Sequence, residues 1–510
     1  MPGGWSQRGI VLVVAIAWGA SHVLSQRLLA GYCGPGLLLS STAFTVVGLS
    51  LALGLFLGSH MRRPRPGVTG VLLAIAGAWF AAVPWAREPL MRALDGLGLA
   101  GAVRAGMTIF FAPPLVLSAI AAGRTARDAS SRAPERATLE TAALALAAAI
   151  GGALLTAYML VPGMGLARAM ACTGFLLLLG AAQAWMGTGR PAGILVTGLT
   201  LIAGIVAIAR APVARKAVEL GVLDIRKSST AELRVFERDE ARYLLQDGTV
   251  VAVADAGNFA PLGRAAVALD VVRLLFDAPG KVLIAGMRDG GLARLFAAAQ
   301  WQVQVVDSDP RRKEMAREFF GWTQDAVPVL STDPRQFLRH TPDKWDVLVL
   351  DTFAAAPMPT HLLTREFFAT AAAHVTDRGV LAVALETRGW DDPLVTAVGA
   401  TLRTVFQHAS VLPTSEPPNT LGTLVFFASN RPIEFPDERL GNPREALGDN
   451  YQHWVSVQQN HAWQNRFDPT EHPGAVLTDD HNPAELWMDR VDQVSRKEVH
   501  EFFGPYARVW

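Results

Sequence analysis

From Ile10 to Ala209 the chain is a succession of Leu, Ala, Val, Ile and Gly runs, and no other feature restricts its folding as much. A hydrocarbon layer about 30 Å thick asks for roughly 20 apolar residues per spanning helix. Runs of that length lie at 9–28, 36–58, 67–86, 105–123, 139–160, 166–186 and 192–209, so residues 1–210 are expected to form a transmembrane bundle of about seven helices. The stretch from Arg87 to Arg104 mixes Arg87, Glu88, Arg92, Asp95 and Arg104 with leucines and glycines, a composition that suits a helix lying in the interface. Arg8 ahead of Ile10–Ala20 imitates a signal peptide, but the runs that follow make a first membrane helix the better reading. Gly151, Gly152, Gly163 and Gly165 are expected at close helix contacts.

Charge and cysteine content exclude several functions. A net charge of +1 supplies no basic field, so no nucleic-acid partner is expected. Cys33 and Cys172 sit in or beside apolar runs, so neither a zinc site nor a disulfide framework is implied, and no metal is expected. His22 and Arg27, near the end of the first run, are read as facing a neighbouring helix or reaching the interface. Arg62, Arg63, Arg65, Arg124, Arg127, Arg132 and Arg136 fall on one side of a seven-helix bundle. Arg87, Arg92, Arg104, Arg210, Arg215 and Lys216 fall on the other, so the positive-inside rule does not orient it.

After Arg210 charged residues recur every few positions and the apolar pattern changes. Residues 224–278 read as a small β-hairpin region with a linking helix. Asp247-Gly248 between two apolar runs marks the tight turn, and 265–276 has helical spacing. Residues 279–510 begin with a buried strand, Lys281–Ala285, that runs into a glycine turn, Gly286 to Gly291, and a helical stretch from Leu292. A second strand, Val303–Val306, ends at Asp307, 21 positions after Gly286. Such a glycine turn lets a ligand approach the backbone, and a strand-end carboxylate at that spacing accepts from both ribose hydroxyls. Asp333 follows the apolar run Val327–Leu330. Asp351 ends the strand Trp345–Leu350, and strands at 380–385 and 421–428 extend the sheet. Acidic residues at the carboxyl ends of parallel strands converge on one crevice, the signature of a nucleoside site.

Several segments resemble the membrane-fused branch of the spermidine synthase (polyamine aminopropyltransferase) family. They are Gly286–Gly291, Val306-Asp307-Ser308-Asp309-Pro310, 333–338 (Asp-Pro-Arg-Gln-Phe-Leu) and Asp346–Asp351, with 359–367, 477–483, 25–34 and 151–162. The resemblance covers most of the chain except the Trp-rich region 431–467. It implies a multi-pass helical bundle fused to a Rossmann-like domain of the class I methyltransferase type, with a C-terminal extension. It also implies an activity: an aminopropyl group passes from decarboxylated S-adenosylmethionine, a co-substrate rather than a tightly bound cofactor, to a polyamine. Carried over by position, Gly286, Gly290 and Gly291 shape the nucleoside turn, Asp289 faces the aminopropyl amine, Asp307 the ribose and Asp333 the adenine amino group. Asp351 is then the general base. The expected partners are a nucleoside, a polyamine and the lipid bilayer, with homodimer formation left open. Because such nucleosides are made in the cytoplasm, the expected location is the cell inner membrane with the soluble domain cytoplasmic.

The chain departs from the family pattern on the acceptor side. The signature Asp, two small residues, Asp becomes Asp351-Thr352-Phe353-Ala354, so the second carboxylate is missing. Arg288 replaces a glycine of the turn, and 249–265 lacks the usual Gln, Tyr and His. Methyl transfer from S-adenosylmethionine and non-catalytic nucleoside or polyamine sensing therefore stand as alternatives, since the site and not the fold decides function. His361 is expected in a loop or core, Thr364 as the cap of a helix from Arg365, and Asp479 and Asp480 as turn braces or replacement acceptor carboxylates. His453, Trp454, His461 and Trp463 are expected to pack on the surface, because they meet no ligand spacing.

Overall fold

The computed structural model describes residues 3–61, 66–130, 135–186, 191–212, 221–227, 231–323, 325–353, 358–414, 418–434, 439–440, 449–470 and 473–503. Contacts divide the chain into an apolar unit within Met1–Arg215 and a second unit formed chiefly by Leu233–Tyr506.

Each of the seven apolar runs is helical in the first unit: Gly3–Cys33, Leu37–His60, Pro66–Leu94, Gly98–Ser130, Glu135–Leu155, Leu166–Met186 and Pro191–Arg210. Among the described residues six spans are long and apolar enough to cross a membrane, and the seventh, Ile194–Arg210, is shorter. Their outward faces carry exposed Phe44, Leu49, Ile150, Leu154, Ile194 and Ile202. Water does not favour such a surface, whereas hydrocarbon does. The segment Arg87–Arg104 does not form a separate helix. The third helix carries Arg87 and Arg92 through to Leu94, a 3₁₀ turn spans Asp95–Leu97, and the fourth helix starts at Gly98. Arg87 is 6% exposed, so its side chain is covered by the surrounding helices. Of the four glycines expected at contacts, Gly152 meets the expectation, since a Cβ there would lie 2.4 Å from the Ile16 carbonyl oxygen. Gly151, Gly163 and Gly165 face open space. Pro162 has no N–H to give the preceding turn, and the ladder there widens to a π-turn over Thr156–Leu160 with Val161 N–H bonded to Thr156 O.

The second unit opens with a four-stranded sheet in chain order: β1 (Val222–Lys227), β2 (Glu232–Arg238), β3 (Ala241–Gln246) and β4 (Thr249–Asp255). Asp247 and Gly248 join β3 to β4 with φ of 46° and 84°, the left-handed pair of a type I′ hairpin. A seven-stranded sheet follows: β5 (Lys281–Ala285), β6 (Gln302–Val306), β7 (Val329–Leu330), β8 (Trp345–Phe353), β9 (Val375–Thr387), β10 (His408–Pro413) and β11 (Gly422–Ser429). Its order is β10-β11-β9-β8-β5-β6-β7, and β11 runs antiparallel to both neighbours while β5 to β9 pair in parallel. That is the class I methyltransferase-like form of the Rossmann sheet. Alternation along the strands fills two cores. Leu283, Leu348, Leu350 and Leu381 face one, while Val282, Ile284, Val347 and Ala382 face the other. Both faces are covered, so each strand reads as an unbroken apolar run.

Helix Asn450–Gln464 corrects the surface expectation for the Trp-rich region. Trp463 is 3% exposed and belongs to the core on the Val282 face. Its indole is apolar area worth about 2 kcal/mol or more when buried, which outweighs the polar character of the surrounding sequence.

Candidate functional site

Strand order creates the site. β6 and β8 flank β5, so the loop after β5 and the ends of β6 and β8 meet at one edge. Gly286 leaves β5 with φ 103°, and a Cβ there would lie 2.4 Å from the Asp351 carbonyl oxygen; glycine is required by both conformation and approach. Gly290, φ 79°, precedes the helix that begins at Gly291. The three glycines shape the turn, while Met287, Arg288 and Asp289 within it line cavities.

Asp307, at the end of β6 and 6% exposed, braces that turn. Its Oδ2 accepts from Met287 N at 2.7 Å and its Oδ1 from Asp309 N at 2.8 Å. Arg312 approaches Oδ2 at 3.4 Å and donates to the Gln246 side-chain oxygen. Asp333 caps helix Pro334–His340 through Gln336 N at 3.0 Å and pairs through Oδ2 with His361 Nε2 at 2.8 Å. A cleft with about 650 Å³ of empty space joins Asp307, Asp333, Asp351, Arg288, Arg312 and Gln246.

A second cavity holds Asp289, Asp351, Glu386, Arg264 and Arg288 beside Val250–Val253. Asp289 Oδ1 accepts from Gly291 N at 3.1 Å, and its buried Oδ2 has no hydrogen-bond partner among the described residues. Glu386, one residue beyond Leu385 near the end of β9, accepts from Ser495 Oγ at 3.2 Å through Oε1, while its buried Oε2 has no such partner. Burial raises the proton affinity of all three acids. Asp289 and Asp351 are pushed upward, the latter despite Arg288, and Glu386 is pushed up to about 8 by burial with Asp492 nearby.

Arg288 joins the two spaces. Its backbone has φ 47°, a conformation that costs about 1 kcal/mol or more outside glycine. Its side chain forms an ion pair with Asp351 Oδ1 at 2.6 Å and donates from Nε to Asp351 O and from Nη1 to Val251 O, both at 3.0 Å.

The lesser motifs form a brace. Thr364 caps helix Arg365–Ala373 through Phe367 N at 3.3 Å, as its sequence position suggests, and its hydroxyl donates to Asp479 at 2.8 Å. Arg335 bonds the same carboxylate at 2.8 Å and holds Asp479 below the usual carboxylate range. Asp479 lines neither cavity. His361 is half-exposed in the loop and its ring is on Asp333, so it is not a core histidine. Ala354 lies outside the described residues. Sequence reasoning passed over Glu386, Gln246 and Arg312. For Glu386 a signal was present, since the strand-end rule that selected Asp307 and Asp351 applies equally to β9.

No family model matches the sequence. A probable polyamine aminopropyl transferase of Bifidobacterium longum is 26% identical over 250 residues, covering 46% of this chain and 54% of that one. A polyamine aminopropyltransferase of a Ruegeria species is 28% identical over 163 residues, 30% of this chain and 56% of its own. The chain thus spans about half the length of these curated relatives. Among solved structures, a probable spermidine synthase from Corynebacterium glutamicum aligns at 20% identity and TM-score 0.39, over 49% of this chain and 95% of that one. The chain is thus similar over part of its length to polyamine aminopropyltransferases, and among the described residues it also has six helices long and apolar enough to cross a membrane.

Proposed function

We propose that the soluble domain transfers an aminopropyl group from decarboxylated S-adenosylmethionine to a polyamine nitrogen. The observation that carries this reading is the division of strand-end carboxylates between two cavities that share Asp351. In this assignment Asp307 receives the ribose hydroxyls, Asp333 the adenine amino group and Asp289 the aminopropyl amine. The turn built by Gly286, Gly290 and Gly291 admits the nucleoside. Asp351 takes a proton from the acceptor ammonium. The freed nitrogen lone pair attacks the methylene carbon bonded to sulfur, the carbon–sulfur bond breaks, and its electron pair neutralises the sulfonium to leave methylthioadenosine. A buried carboxyl with raised proton affinity suits that step, because proton acceptance is easiest when base and donor are closely matched. Donor and acceptor are both cations, and the partnerless oxygens of Asp289 and Glu386 offer them charge-assisted contacts.

The apolar helices support anchoring of this domain to the lipid bilayer, and the cytoplasmic supply of nucleoside supports an inner membrane with the domain inside. A reporter enzyme fused after Trp510 tests the orientation; activity only on the periplasmic side refutes it. A second reading, nucleoside or polyamine sensing without transfer, is favoured by one feature, the Arg288 ion pair on the proposed base. Calorimetry of the full chain in detergent separates the readings. Tighter binding of decarboxylated S-adenosylmethionine than of S-adenosylmethionine, with methylthioadenosine formed when putrescine is added, is the expected result. Preference for the carboxylated compound indicates methyl transfer, and binding without turnover indicates a sensor.

A further inference from the structure

The two cavities have three lining residues in common, Val251, Arg288 and Asp351, and these are the residues that the Arg288 hydrogen bonds join. Arg288 springs from the turn after β5, reaches the end of β8 at Asp351 and touches β4 at Val251. Its guanidinium is therefore the wall between the space with Asp307 and Asp333 and the space with Asp289 and Glu386. It is also a cation seated on the carboxylate that an acceptor ammonium would use.

We propose that Arg288 is an internal stand-in for the acceptor cation, a selectivity element that holds Asp351 and keeps the two cavities apart until a polycationic amine displaces it. The inference rests on the aminopropyl-transfer reading for the identity of the displacing ligand. The physical argument is competition. Two cations do not share one buried carboxylate oxygen without strong repulsion, so the ammonium binds only in the fraction of molecules whose guanidinium has swung away. Apparent affinity falls by that fraction. A monoamine brings one charge against a guanidinium held at three points. A diamine's second ammonium also reaches the partnerless oxygen of Glu386 in the same cavity, which offsets the lost pair. The left-handed backbone at position 288 fits a device of this kind. Arginine is a strained choice there, and glycine adopts the conformation freely.

Arg288→Gly tests the inference in the full chain in detergent, with putrescine, 1,4-butanediol and methylthioadenosine as calorimetric probes. The variant should bind putrescine at least about tenfold more tightly than wild type, the gain expected if the arginine is displaced in one molecule in ten or fewer. Methylthioadenosine affinity should stay within a few fold, and the neutral diol should gain little. Unchanged putrescine affinity overturns the proposal, and so does an equal gain for butanediol, which would mean that only space had been opened. If Arg288→Gly loses methylthioadenosine binding, Arg288→Lys decides. One ammonium cannot replace the fork on Asp351 and Val251, so putrescine should still bind more tightly than in wild type, and no gain refutes the role. Tighter amine binding without donor consumption in either protein would sink the transferase reading alone. Turnover with amine affinity indifferent to position 288 would sink the stand-in alone.

Discussion

The cleft around Asp307 and the cavity around Glu386 both contain Asp351, yet their carboxylates are treated differently. Asp307 and Asp333 have their oxygens engaged by backbone N–H groups, Arg312 or His361. Asp289 and Glu386 each keep a buried oxygen without a hydrogen-bond partner among the described residues, and burial drives their proton affinity upward. The first is a set of carboxylates already held in place by their neighbours. The second is a set of acids that gains most when a cation arrives. On the proposed assignment nucleoside and amine recognition are separable, and each substitution below should disturb one and spare the other.

The largest effect is expected at the shared residue. Asp351→Asn preserves shape and removes the base, and a positioned base contributes about 100-fold or more to turnover. Transfer should be abolished while methylthioadenosine affinity changes within a few fold. Full activity in the variant would remove Asp351 from the base role and with it the link between the two cavities.

Next comes the donor side alone. Asp307→Ala deletes a carboxylate that braces Met287 N and Asp309 N and is assigned to the ribose, so titration should show methylthioadenosine binding weakened by ~2 kcal/mol or more. Putrescine binding should be nearly unaltered. Equal loss of both ligands would show that Asp307 only maintains the fold and would erase the distinction between the cavities.

Much of this arrangement was legible in the sequence because it follows from local rules. Asp247-Gly248 demanded its hairpin, the unbroken runs of β5 and β8 announced strands covered on both faces, and the interval from Gly286 to Asp307 announced the turn and its acid. What escaped depends on distant residues meeting. Nothing local tells that Trp463 lies against the Val282 face or that Ser495 comes to Glu386. The burial of Arg87 is of the same kind, since only the helices packed around it make a charged side chain 6% exposed. Arg288 was visible as an anomaly, but its three contacts, one of them on β4, depend on tertiary structure.

A third substitution isolates the acceptor side. With its proton affinity raised to about 8 from the ordinary 4.5, Glu386 is protonated in the folded chain at neutral pH and ionised in the unfolded one. Between those values the folded state binds more protons, so this group's contribution to stability falls as pH rises from about 4.5 to about 8 and is level above. Glu386→Gln has no such titration. Its melting temperature should rise relative to wild type across that window by a few degrees, and putrescine binding should weaken. A difference independent of pH would mean that Glu386 is solvated, and the contrast between engaged and waiting carboxylates would lose its best case.

The smallest effect is expected from adding what the family pattern contains and this chain lacks. Ala354 follows Phe353, the last residue of β8, so a carboxylate there lies three positions from Asp351 in sequence. Ala354→Asp adds the carboxylate that the family pattern has at this position, while Arg288 still occupies Asp351. The expected gain is that of a single added ion pair, about 0.5–1 kcal/mol, or roughly two- to fivefold in putrescine affinity. It should shrink as salt is raised, since the new pair is screened. Methylthioadenosine, which carries no cationic tail, should bind as in wild type. Combined with Arg288→Gly the gain should exceed the product of the two single effects, because the added carboxylate and the freed Asp351 then act on the same diamine. Simple additivity would remove position 354 from acceptor binding and leave Glu386 as the group that meets the second ammonium.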